Sequence, residues 1–245
     1  MKVSSTPTAR GFTLIETVIA IGVLAVLLTG FMMVFAPAAA GIKQAISVQD
    51  ADRLVSTLEQ ELVTVRAGDG MPAGATGFDK AFTRLQQCKT ATTALLIYQY
   101  RGDLLSAKRT DGTLPPMVNI SGKLAGQDYI VVPMVRQSND VLFNTAITGD
   151  IAAIEGGIYL VKCTPLYFSG GALTLGTSGT IKDLQGTTAY ASANGTPLYP
   201  EAVIPFAADF YSVPAKAKAY FDNNFATYFT NARNPVFTRN LAVRR

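Results

Sequence analysis

Apolar and polar residues alternate with three different spacings along this chain. From Thr17 to Ala36 the residues are apolar or small and none is charged. Taken as a helix, Phe12 to Ala36 spans about 37 Å at ~1.5 Å per residue, enough to cross a ~30 Å hydrocarbon core with some tilt. Beyond Pro37 the apolar positions Ile42, Ala45, Ile46, Leu54, Val55, Leu58, Leu62 and Val65 recur at three- and four-residue steps. Lys43, Asp50, Asp52, Arg53, Glu59 and Glu61 fill much of the remainder, which predicts an amphipathic helix over residues 37–66. Pro37 is the expected place for a kink, because proline removes one helical hydrogen bond and crowds the preceding turn.

Gly68-Asp69-Gly70-Met71-Pro72 stops that helix, and Phe78, Phe82 and Leu85 predict a short second one. The spacing then changes to that of strands. Ala94–Arg101, Tyr129–Arg136 and Gly157–Phe168 are rich in Ile, Val, Leu and Tyr and are bounded by turn formers. In Ala202–Tyr211 the apolar residues Ile204, Phe206, Ala208 and Phe210 alternate, as on a strand with one buried face, while Pro205 predicts an edge or bulged strand. Ser169–Gly195, dense in Gly, Ser, Thr and Ala, reads as a long, weakly structured excursion. Pro214 is expected to open a helix carrying Ala217, Phe221, Phe225 and Phe229, with Asn234-Pro235 ending it and Val236–Val243 as the closing strand. A long helix followed by several strands is an α+β chain.

Composition narrows what this chain does. A length of 245 residues accommodates one membrane segment and one globular domain with a sizeable core, but not two large soluble domains. The absence of histidine removes imidazole proton shuttles and the usual zinc sites. No cofactor or metal site is expected, since acids such as Asp209 and Asp222 are isolated in sequence. Gly122-Lys123 lacks the flanking residues of a phosphate-binding loop, and Gly176-Thr177-Ser178-Gly179 has the wrong spacing for a nucleophile elbow, so both read as turns. The aromatic series Phe221, Phe225 and Phe229 reads as core packing. Cys88 and Cys163 are either one disulfide, worth ~4 kcal/mol in the chain-entropy model, or two separate buried thiols.

The start of the chain carries the most specific signal. Residues 1–11 are short and polar, with Lys2 and Arg10 as their only charges; positive charge before an apolar run places the N-terminus in the cytoplasm and the remainder across the membrane. Arg10-Gly11-Phe12-Thr13-Leu14-Ile15-Glu16 then heads the apolar run. Glycine at position 11 permits close approach of a peptidase to the backbone. Glu16 is a carboxylate costing up to ~3 kcal/mol at mid-bilayer, less near its edge. By itself, Thr13-x-x-Glu16 fits a helix capping box, and an acid in the first turn suits the helix dipole.

As a set, these residues closely resemble the processing site of type IV prepilins and type II secretion pseudopilins. The resemblance covers about the first 35 residues. It implies that a prepilin peptidase cuts after Gly11 and N-methylates Phe12, and that Glu16 pairs with the Phe12 amine of a neighbouring subunit during assembly. It further implies a pilin-like fold, with a leader over 1–11, a transmembrane half-helix over 12–36, an amphipathic half over 37–66 and a periplasmic domain over 67–245. Partners would be the peptidase, other pilins or pseudopilins and an inner-membrane assembly platform, in a non-enzymatic fibre subunit of the bacterial inner membrane. Length and extra segments look like a large minor subunit. Glu201–Tyr211 and the closing strand with Arg239 are loosely similar to the end of J-class minor pseudopilins, and Glu16 argues against the tip subunit that lacks this acid. The helix proline of major pilins would fall at Met33, whereas this chain has Pro37.

With Lys2 and Arg10 removed, the 21 basic residues fall to 19 against 17 acidic, which gives no electrostatic case for nucleic acid. Two alternatives remain. One is a membrane-anchored periplasmic binding or scaffold domain that never polymerises. The other is cleavage by signal peptidase near Ala36-Pro37-Ala38 or Ala38-Ala39-Ala40, against which the apolar run is longer than a ~7–15-residue signal core.

Overall fold

The computed structural model describes residues 13–190 and 195–245, which divide into two compact units, one up to Ile46 and one from Ser47 onward. The architecture is a long N-terminal apolar helix followed by an antiparallel, curled sheet, an α+β arrangement of pilin-like type.

In the first unit the described residues from Leu14 on form the beginning of helix α1 (Leu14–Val63). Every side chain from Thr13 to Phe35 is exposed. Leu14–Ala39 is long and apolar enough to cross a membrane. Pro37 lies inside α1 and does not end it. The predicted amphipathic stripe is narrower than its sequence pattern: Ile42 and Ile46 are 61% and 52% exposed, and Val65 lies beyond the helix end and is also exposed.

In the second unit, the last turns of α1 bury Leu54, Leu58 and Leu62, four residues apart and so on one helical face. Helix α2 (Gly77–Gln87) lies beside them. It starts with a reciprocal cap, in which Thr76 Oγ1 accepts from the Asp79 N–H at 3.2 Å and Asp79 Oδ2 accepts from the Thr76 N–H at 2.8 Å. Gly77 is needed for close approach, since a Cβ there would stand 2.2 Å from the Val63 carbonyl oxygen at the end of α1. Charges stitch the junction: Arg66 forks onto Glu61 at 2.6 and 3.1 Å, and Lys80 Nζ reaches Asp69 at 2.9 Å and the Thr64 carbonyl at 2.5 Å.

The main sheet has the order β2 (Tyr129–Gln137), β1 (Leu95–Asp103), β3 (Ile154–Ser169), β7 (Val203–Ser212) and β8 (Phe237–Arg244), all antiparallel, with β4 (Ala172–Leu175) folding back on the end of β3. Tyr98 pairs with Ile158, but Gln99 pairs with Glu155, leaving Gly156 and Gly157 as a bulge; Gly156 has φ +70°, which favours glycine. Both faces are covered. Leu95, Ile97, Val161, Phe206 and Phe210 share one core with Leu54, Leu58, Leu62, Phe82 and Leu85. Leu96, Tyr98, Leu160 and Tyr211, the alternate positions of the same strands, share a second core with Phe143, Phe221 and Phe225. Two buried faces explain why the strands read as nearly continuous apolar runs.

Three expectations change. β7 is an inner strand, not an edge: Pro205 pairs with Ala242 of β8, while the pairing with β3 ends one residue earlier in space, at Phe206 opposite Pro165, so no β3 ladder bond is lost to the proline. The helix expected from Pro214 begins four residues later and is split into α4 (Lys218–Asn223) and α5 (Phe225–Asn231), joined at Asn224. The described part of the 169–195 excursion is not structureless, since β4 and a small hairpin of β5 (Ile181–Lys182) and β6 (Ala189–Tyr190) lie within it, followed by a single turn, α3 (Gly195–Leu198).

Candidate processing and assembly site

Gly11 and Phe12 lie outside the described residues, so the geometry of the site begins at Thr13. Thr13 caps α1: its Oγ1 accepts from the Glu16 N–H at 3.3 Å, and its carbonyl accepts the Thr17 N–H and Thr17 Oγ1, each at 3.1 Å. Half of the expected capping box is therefore present, with the threonine side chain serving the backbone of Glu16. The Glu16 side chain stands exposed in the first turn, between Leu14 and Ile15 on one side and Val18 and Ile19 on the other, all more than half exposed. Between Arg10 and Lys43 the sequence carries no other charged residue. The arrangement offers a single negative charge at the positive end of a helix dipole, on an otherwise apolar surface.

The other nominated pair, Cys88 and Cys163, are far apart in sequence but meet in the second unit. Cys88 follows the last turn of α2 and Cys163 sits midway along β3. Both are buried free thiols, with Cys88 Sγ 3.4 Å from the Cys163 carbonyl oxygen. Gly122 and Gly179, in the two segments that miss catalytic motifs, have φ of +71° and +77° and occupy turns. Phe221 and Phe225 are buried in the second core. Among the described residues no group of three or more acids and cysteines is placed to hold a metal ion.

Sequence reasoning missed the densest polar cluster, which centres on Asp150. This fully buried carboxylate accepts from Tyr98 Oη and Arg109 Nη1, each at 2.6 Å, and from Arg136 Nε at 3.1 Å. Arg136 also reaches Asp111 at 2.7 Å and Asp140 at 3.2 Å. Burial alone would lower the Arg136 guanidinium, but Tyr98, Asp150, Asp111 and Asp140 around it hold it well above its usual value. Burial pushes the Asp111 carboxyl up, and the hydrogen bonds from Arg136 and Thr113 more than reverse this, leaving it below the ordinary range. The cluster pins the 104–128 and 139–153 connections to the sheet.

An exposed apolar helix, capped at its start and joined to an antiparallel sheet, defines a protein of pilin-like architecture. Residues 7–32 match the family model described as the prokaryotic N-terminal methylation motif. The match supports a pilin- or pseudopilin-type precursor of the kind that prepilin peptidase processes, and it takes in Gly11, Phe12 and Glu16. No curated protein and no solved structure is matched by the chain.

Proposed function

We propose that the chain is a structural subunit of a type II secretion pseudopilus or a type IV pilus-like filament, a minor subunit by its length, and not an enzyme. In this reading it is held in the bacterial inner membrane by residues 12–36, with residues 1–11 in the cytoplasm and the 67–245 domain in the periplasm. Prepilin peptidase cuts after Gly11 and methylates the new Phe12 amine. Extraction by the assembly platform then places Glu16 of one subunit against the Phe12 amine of the next, and the apolar surface of α1 moves from lipid to the corresponding helices of neighbouring subunits. The observation that carries the reading is Glu16 itself, an exposed carboxylate on a fully exposed apolar helix beginning within the methylation motif. Such a charge is costly in lipid and is satisfied by a cationic partner.

The cap at Thr13 favours a second reading, in which Glu16 only serves the first turn of the helix in a membrane-anchored periplasmic binding or scaffold domain that does not polymerise. Two measurements separate them. The mature chain from native membranes should begin with N-methylated Phe12, by intact mass and N-terminal sequencing; a chain starting at Met1 or near Ala39 contradicts the proposal. Glu16→Ala should still be cut but should not enter fibres, whereas a simple anchor is indifferent to the change.

A further inference from the structure

The two cysteines belong to elements that are far apart in sequence and share one core. Cys88 closes α2, the helix that covers one face of the sheet, and Cys163 lies on β3, the strand at the centre of that sheet. Cys88 Sγ is 3.2 Å from the Leu85 carbonyl oxygen and 3.4 Å from that of Cys163. They sit 1% and 0% exposed in a core shared with Leu85, Ile181 and Tyr199, and no other cysteine exists to compete for either. A Cys88 sulfur 3.4 Å from the Cys163 backbone puts two cysteines 75 residues apart in sequence into contact, as a cross-link requires.

We propose that Cys88 and Cys163 form an intramolecular disulfide that ties α2 to β3 in the mature subunit. The oxidant is a disulfide, small-molecule or protein, of the oxidising compartment; the bond in cells therefore rests on the reading that residues 67–245 lie outside the cytoplasm. The Cys88 thiolate attacks one sulfur of that disulfide, forming a mixed disulfide and releasing one thiol of the oxidant. The Cys163 thiolate then attacks Cys88 Sγ and expels the second thiol. Two electrons pass to the oxidant, and the two protons lost by the cysteines end on its thiols. The balance is the same if Cys163 attacks first. Both sulfurs are inaccessible once the core closes, so the exchange belongs to folding and the finished bond is shielded from reduction.

The test is the thiol state of the full chain recovered from native membranes under an acid quench, denatured and treated with N-ethylmaleimide. The expected chain carries no adduct, yields a joined Cys88–Cys163 peptide, and takes two adducts only after reduction. In a parallel strain, Ser106→Cys in an exposed loop reports by a membrane-impermeant maleimide whether the domain faces outward. Two adducts without reduction, with Cys at 106 reachable from outside, overturn the disulfide while the orientation stands. Two adducts with that position shielded mean that the orientation has failed. The bond is then decided on the purified full chain, reduced, unfolded and refolded into detergent over glutathione, where free thiols overturn it and a joined peptide supports it. Reduction in denaturant followed by refolding under reductant should lower the Tm of the cross-linked chain by about 10 °C, and the same treatment should leave that of Cys88→Ser unchanged; equal responses also overturn the proposal.

Discussion

At Asp150, three donors converge on one carboxylate that solvent does not reach. Removing it takes the acceptor from the buried Tyr98 hydroxyl and one carboxylate from each of Arg109 and Arg136, and breaking a buried ionic cluster from one side costs about 3–5 kcal/mol. Asp150→Ala in residues 47–245 should lose stability on that scale in urea unfolding, and Asp150→Asn, which keeps one acceptor oxygen and fills the space, should lose less. Equal stability of Asp150→Ala and the parent would show that the cluster is not structural. Titration adds two further expectations. Asp111 is held below its ordinary range when folded, so its contribution is complete above the unfolded pKa near ~3.9 and is lost as pH falls through the folded value. The phenols run the other way: burial pushes Tyr100, Tyr199 and Tyr228 up to about 12. The unfolded chain therefore releases these protons first, and stability should fall as pH rises from about 10 to 12. Thermal scans across that window check the sign, and Tyr100→Phe should make the decline shallower. None of this was legible in sequence, because Asp150 meets partners 14, 41 and 52 positions away and reads locally as a turn beside Gly149.

Between elements, the closest fit is that of α2 against the end of α1. Gly77→Ala drives a methyl into the Val63 carbonyl, a backbone atom that cannot swing aside, and should cost about 1–3 kcal/mol through displacement of α2. Thr76→Ala, which removes a cap without touching the packing, should cost about 1 kcal/mol. Chemical denaturation of both variants ranks them; a glycine substitution milder than the cap loss would mean that the helices are not in this contact. The elements themselves were largely legible. The strands around Leu96, Val132, Leu160, Phe206 and Leu241 were placed within three residues of their observed ends, and the two inner strands around Leu96 and Leu160 read as apolar runs because both of their faces are buried. What failed was neighbourhood. Pro205 argued for an edge, yet the proline sits where the β3 partner has already ended. Ile42 and Ile46 share the period of Leu54 and Leu58, but periodicity marks a face without saying how far along it a partner extends. The motif at Gly11, Phe12 and Glu16 was readable because it is local and does not depend on the fold.

For the whole molecule, α1 contributes to both units: its first residues form an exposed apolar surface, and its last turns supply part of the core of the sheet domain. A helix serving two environments makes the start of the domain a matter of burial, not of the glycine-rich turn at Gly68. Leu54, Leu58 and Leu62 are each nearly or fully buried, and each withdrawn leucine is worth about 1.5–3 kcal/mol. Together they amount to roughly 5–9 kcal/mol, comparable with the ~5–15 kcal/mol that holds a domain folded. A chain beginning at Ser47 should therefore be monomeric and unfold cooperatively. One beginning at Gly68 should leave Phe82, Leu85, Leu95 and Phe206 without their helical cover and should aggregate or lose cooperative unfolding. Size-exclusion chromatography and urea denaturation of the two truncations decide between them. If the Gly68 chain proved as stable as the Ser47 chain, the end of α1 would be only a tether, and the sheet would need another explanation for the apolar face it turns toward that helix.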